Sequence, residues 1–213
     1  MLLLLLCLRA SSAEETALLT GGFNGLEGAR DGCSLLDLNP PSCSVPDLPW
    51  SAGTNRSGRS DLVTFATEDG LVLTCGGESA TGEDDLSCVS LDLTAGLATE
   101  QAWVHHSMLD VDRVMATAVT LPGRGSYILG GFKRITSSFL PLGSTEWEEG
   151  PTLPGVDNPD ELSYYGMCSV LLSDTQFLAI GGNAEGFLGG TRIAEFDGDR
   201  GTLESWPSLV TER

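Results

Sequence analysis

Apolar residues in this chain fall in short runs that come in pairs, each pair split by a polar turn and its second run closed by a diglycine. The pairs are Leu62-Val63-Thr64-Phe65-Ala66 with Leu71-Val72-Leu73, Val114-Met115-Ala116-Thr117-Ala118-Val119 with Tyr127-Ile128-Leu129, and Cys168-Ser169-Val170-Leu171-Leu172 with Phe177-Leu178-Ala179-Ile180. Between them lie Glu68-Asp69-Gly70, Pro122-Gly123-Arg124-Gly125 and Ser173-Asp174-Thr175. Asp, Gly, Pro and Ser supply turns for backbone reasons, so each pair predicts a tight hairpin. Runs this continuously apolar predict strands covered on both faces. Beyond the glycines and a polar loop the pattern alternates, as in Cys88-Val89-Ser90-Leu91-Asp92-Leu93 and Ile193-Ala194-Glu195-Phe196-Asp197, which predicts half-exposed outer strands. A fourth strand follows, carrying Trp103, Trp147 or Trp206.

The diglycine occurs four times, as Gly21-Gly22, Gly76-Gly77, Gly130-Gly131 and Gly181-Gly182, in steps of 55, 54 and 51 residues. A period near fifty is the mark of propeller blades. The expected fold is all-β, a propeller of about four four-stranded blades at roughly 14–58, 59–112, 113–163 and 164–213. Without a Cβ the glycines let neighbouring backbone approach closely. The tryptophans read as packing wedged between neighbouring blades, since large aromatics dominate core energetics.

A diglycine ending the second strand, a Trp on the fourth and a unit of about fifty residues resemble the kelch repeat, across nearly all of residues 14–213. Trp147 with Gly150-Pro151-Thr152-Leu153-Pro154, and Trp206-Pro207-Ser208-Leu209, look like the motif that leads into a following blade. The chain departs from the pattern in lacking the tyrosine usual between diglycine and Trp, and in placing Trp50 late in the first unit. Arg213 aligns with Arg59 and Arg113, the residues that introduce a blade's first strand. Kelch propellers commonly have five to seven blades, so the resemblance implies an incomplete ring and further C-terminal sequence. A closed ring of four is the alternative.

The first thirteen residues, an apolar run followed by Arg9-Ala10-Ser11-Ser12-Ala13, read as a secretory signal cut after Ala13. The following segment Ala17-Leu18-Leu19-Thr20 then opens the first unit on its second strand, with no first strand ahead of it. No segment is long and apolar enough for a transmembrane helix. In an oxidising compartment the cysteines should pair. In the blade arrangement Cys33 faces Cys43, and Cys75 faces Cys88, each pair across neighbouring strands where a disulfide's short Cα separation can be met. Cys168 is left over on an inner strand, where a buried thiol, or one partnered in missing sequence, is expected in preference to a reactive nucleophile. Asn55-Arg56-Ser57 is a glycosylation sequon in an inter-blade loop.

Formal charge is −19, which makes nucleic acid a poor partner because binding there rests on Lys and Arg neutralising phosphates. No nucleophile elbow, phosphate loop, zinc-protease or dinucleotide fingerprint occurs. His105 and His106 are adjacent on a predicted strand, so they point to opposite faces and do not converge on one ion. The expectation is a secreted, non-enzymatic module without catalytic residues, cofactor or metal. Its partner is an extracellular protein or glycan, held through loops that vary while the strands repeat. The alternative is a fragment resembling the galactose-oxidase-like copper enzymes. No tyrosine (Tyr127, Tyr164, Tyr165) or histidine of this sequence matches that family's copper site, which would lie in missing C-terminal sequence.

Overall fold

In the computed structural model, residues 59–79, 82, 85–92, 103–153 and 164–182 are described with their side chains. The main chain is also described at Asn183 and in the strands Leu5–Arg9, Glu15–Thr20, Phe23–Asn24, Gly28–Ala29, Cys33–Asp37, Ile193–Asp197 and Thr202–Trp206. Every described element is a β-strand, and every described pairing is antiparallel.

Three four-stranded sheets run in chain order as simple meanders. Sheet two joins β7 (Val63–Ala66), β8 (Leu71–Cys75), β10 (Ser87–Asp92) and β11 (Val104–Met108). Sheet three joins β12 (Thr117–Leu121), β13 (Gly125–Leu129), β14 (Ser137–Pro141) and β15 (Glu148–Glu149). Sheet four joins β16 (Tyr165–Ser173), β17 (Gln176–Asn183), β18 (Ile193–Asp197) and β19 (Thr202–Trp206). Sheet one has three described strands, β1 (Leu5–Arg9), β2 (Glu15–Thr20) and β5 (Cys33–Asp37). Short ladders pair β3 (Phe23–Asn24) with β4 (Gly28–Ala29), and β6 (Arg59–Ser60) with β9 (Glu78–Ser79).

The expected hairpins appear, with two informative shifts. Strand β12 starts at Thr117 instead of Val114, because Met115 sits at φ +57° and interrupts extended backbone. The leader-like segment, expected to stand outside the fold, occupies the first-strand place of sheet one, with Leu5 opposite Leu19 and Arg9 opposite Glu15. An apolar run that suits a signal suits an inner strand equally, since both require only apolar side chains.

First strands of successive sheets pack side by side: β1 against β7, β7 against β12, and β12 against β16. Polar side chains tie two of these seams, Thr120 Oγ1 donating to the Ala66 carbonyl at 2.6 Å and Ser169 Oγ to the Ala118 carbonyl at 2.6 Å. Among the described residues, apolar cores fill the spaces between sheets. Val63, Phe65, Leu73, Ile128 and Leu140 join sheets two and three, and Leu121, Tyr127, Leu129, Met167 and Phe177 join sheets three and four. Tyr127 stacks on Phe139 across the ladder, centroids 4.5 Å apart, and reaches Phe177 of sheet four at 5.8 Å. Trp147, at the head of β15, packs against the core shared with sheet two. Its ring stands edge-on to Phe65 at 6.3 Å, and its Nε1–H donates to Ser107 Oγ at 3.0 Å. Trp103 is buried at the head of β11; the side chain of Trp206 lies outside the described residues.

Strand β16 breaks the pattern. Its apolar run predicts burial on both faces, yet Val170, Leu171 and Leu172 are 46, 41 and 49% exposed, and Cys168 is an exposed free thiol instead of a buried one. Its neighbour on one side is β12; among the described residues no sheet covers the other side as β12 covers β7.

Candidate functional site

The two glycines of the repeat are where one sheet is sewn to the next. Gly77 N donates to the carbonyl of Arg113 at 2.9 Å, and Gly131 N to that of Tyr164 at 2.7 Å. Arg113 and Tyr164 each stand at the head of the following unit. A Cβ on Gly76 would lie 2.3 Å from the Arg113 oxygen, and one on Gly130 2.2 Å from the Tyr164 oxygen. Both glycines also sit at positive φ, +66° and +63°. Only a residue without a side chain fits this close approach. Two residues past each head the main chains meet again, Met115 N donating to Asp61 O at 2.8 Å and Gly166 N to Met115 O at 2.9 Å. Gly21 and Gly22 lie outside the described residues. At Gly181 nothing described lies within 4 Å of a built Cβ.

The head arginines also hold their own unit. Arg113 is fully buried and its Nη1 donates to Gly130 O at 2.8 Å and Thr136 O at 2.6 Å, while Nε and Nη2 reach Ser138 Oγ at 3.1 and 2.8 Å. Ser138 in turn donates to Asp110. Burial lowers the guanidinium pKa to about 10, opposed by Asp110, so Arg113 stays charged at neutral pH. Arg59 repeats the arrangement, its Nη1 on Gly76 O at 3.3 Å and Ser87 Oγ at 3.2 Å and its Nη2 paired with Asp85. Burial opposes ionisation of Asp85, but the Ser87 amide and hydroxyl and Arg59 outweigh it and hold the carboxyl below its usual range. The alignment of Arg59 with Arg113 is visible in the sequence, but the seventeen-residue reach from each to its diglycine carbonyl is a tertiary fact.

At the opposite end of the strands, sheets two and three form a shallow, solvent-open cleft of about 20 Å³. Its rim is the β7–β8 turn at residues 67–70, the β14–β15 turn and His106 of β11. Thr67 locks the first turn through a 3.0 Å bond from its Oγ1 to Leu71 O and acceptance from Leu71 N at 3.1 Å. Gly70, at φ +85°, lets that turn close. Glu68 accepts from the amide of Gly123 in the corresponding turn of sheet three, so the two turns are tied together. Asp69 is exposed beside His106.

Burial lowers the His106 pKa, only partly offset by Asp69, and His105 lowers it further, so the imidazole is neutral at pH 7. Ser107 Oγ accepts from Trp147 and lies 2.8 Å from His106 Nδ1, where the direction of the hydrogen bond follows the imidazole tautomer. The cleft thus presents the Asp69 carboxylate, a neutral imidazole and an apolar wall from Leu140 and Leu142. That space holds about one water molecule, so these groups form a surface rim and not an enclosing pocket. Sequence reasoning placed residues 68–70 in a turn and His106 on a strand, but no local signal joins them, because they meet only through sheet packing.

Of the other expected site residues, Cys75 and Cys88 are directly opposed on β8 and β10 and form a disulfide, Cα atoms 4.1 Å apart. Cys33 is described only as main chain of β5, and Cys43 and Asn55 lie outside the described residues. Among the described residues, no group of three or more His, Cys, Asp or Glu is placed to hold a metal ion, and no helix is long and apolar enough to cross a membrane. No family model matches the chain, and no curated protein matches it.

Proposed function

We propose that this chain is a secreted kelch-type β-propeller acting as a non-enzymatic binding module for an extracellular protein or glycan. The propeller reading draws support from the meander order, the side-by-side first strands and the repeated diglycine junction. The cross-strand disulfide accords with an oxidising compartment. One observation carries the binding reading: scaffold positions recur from unit to unit, whereas the turns that rim the cleft differ. Residues 67–70 read Thr-Glu-Asp-Gly, where the corresponding turns hold Pro122-Gly123-Arg124 and Asp174-Thr175. Variable turns on a fixed frame are where recognition is built.

The test is to express the full chain in a secretory host, immobilise the protein recovered from the medium, and screen it against arrays of glycans and extracellular ectodomains. A partner captured by the wild type and lost by an Asp69→Ala/His106→Ala variant supports the reading. Retention of the chain inside the cell overturns secretion, and equal capture by the variant overturns the cleft as the binding site.

A further inference from the structure

At the end of sheet three opposite the cleft, the loop after Gly130-Gly131 raises Phe132 and Lys133 into solvent. Phe132 is 38% exposed, and its ring meets Tyr165 edge-on with centroids 5.7 Å apart. Lys133 Nζ lies 5.1 Å from the Phe132 centroid. Met115, also 38% exposed, follows the Val114 whose carbonyl accepts from the Phe132 amide. Lys133 is the chain's one lysine, and among the described residues it forms no ion pair. The neighbouring charges are engaged, Arg134 with Asp112, and Asp110 with Ser138.

Lys133 holds φ +58°, a conformation L side chains rarely adopt. The positive φ of Asp61 and Met115 recurs at one place in successive units, with Gly166 next in the series, and belongs to the scaffold. Lys133 has no such excuse: Ser79, at the matching place in sheet two, is not at positive φ. Retaining a lysine where glycine or asparagine fits better directs attention to its side chain.

We propose that the Phe132–Lys133 tip is a second binding site, for a pyranose bearing an acidic substituent, either carboxylate or sulfate. The sugar's apolar face packs on Phe132 and Met115, and the acid pairs with the Lys133 ammonium. An extended peptide is the poorer fit because the loop's main chain is already used. Gly130 N donates to Thr136 O, Gly131 N to Tyr164 O, Phe132 N to Val114 O and Arg134 N to Gly131 O, which leaves little edge for strand pairing. The strongly negative molecule does not forbid an anion here, since its distant charges are screened over a Debye length of about 8 Å at physiological salt. Attraction is therefore local, weak and salt-dependent.

The experiment titrates the full secreted chain with a sialylated trisaccharide, a heparin-derived tetrasaccharide, neutral lactose and a glutamate-rich peptide, by ligand-observed NMR at low and physiological salt. The expected result is binding of at least one acidic saccharide, which identifies carboxylate or sulfate as the anion. That binding weakens with salt and falls about tenfold in Lys133→Gly and in Phe132→Ala. Lys133→Gly should melt no lower than wild type, so its loss of binding is not a loss of fold. The proposal is overturned if neither acidic saccharide binds at millimolar concentration, if lactose or the peptide binds as well, or if Lys133→Gly binds undiminished. The cleft variant Asp69→Ala/His106→Ala should leave this binding unchanged, which separates the two sites.

Discussion

At the scale of single residues, buried charge is the feature with the largest expected effect. Arg113 is a cation with no solvent exposure whose fork satisfies two main-chain carbonyls and a serine. Arg113→Met keeps much of the volume but leaves those buried acceptors without their donor. Unpaired buried acceptors together cost on the order of 3 kcal/mol. Urea denaturation should show that loss for Arg113→Met and a smaller one for Arg113→Lys, which retains the charge but not the fork. A loss below about 1 kcal/mol for Arg113→Met would show that the clamp is incidental. Little of this was legible beforehand. An arginine aligned with another arginine in a repeat reads equally as a solvated loop residue, and only packing reveals that its guanidinium turns inward.

At the scale of elements, period and hairpin order were the legible part, because alternation, turn residues and diglycines are local signals. Element boundaries were less so where a tertiary contact set the backbone: Val114 to Ala116 look like strand but serve as a junction, with Met115 at positive φ bonded to Asp61 and Gly166. The glycines give a direct test. Gly130→Ala meets the Tyr164 oxygen and must displace main chain, whereas Gly181→Ala, at φ +84°, meets nothing described within 4 Å. Gly181→Ala should cost about the intrinsic left-handed penalty of 1–2 kcal/mol. Gly130→Ala should cost clearly more, seen as a larger fall in denaturation midpoint. Equal losses would mean that conformation alone, and not the junction, requires the first glycine.

On the scale of the whole molecule, sheets two and three are each covered by a neighbour, while the first strand of sheet four displays three consecutive apolar side chains. The sequence misjudged β16 because a strand's apolar run reports the environment it is suited to, not whether a neighbour is present. Such a surface favours association. The wild type should bind a hydrophobic dye and aggregate on concentration, and Val170→Thr/Leu172→Lys should reduce both without lowering the melting temperature. A dye-silent wild type would show that this strand is covered in solution.

The junctions between units consist largely of main-chain atoms: a glycine amide on a head-residue carbonyl, and an amide two residues on bonded to its counterpart in the preceding unit. Every residue supplies the same carbonyl, so the head is Arg113 at one seam and Tyr164 at the next. A coupling of this kind is indifferent to which copy it receives. A gene segment duplicated or deleted at a unit boundary would encode a chain whose new seam already fits, and unit number could change over evolutionary time without compensating substitutions.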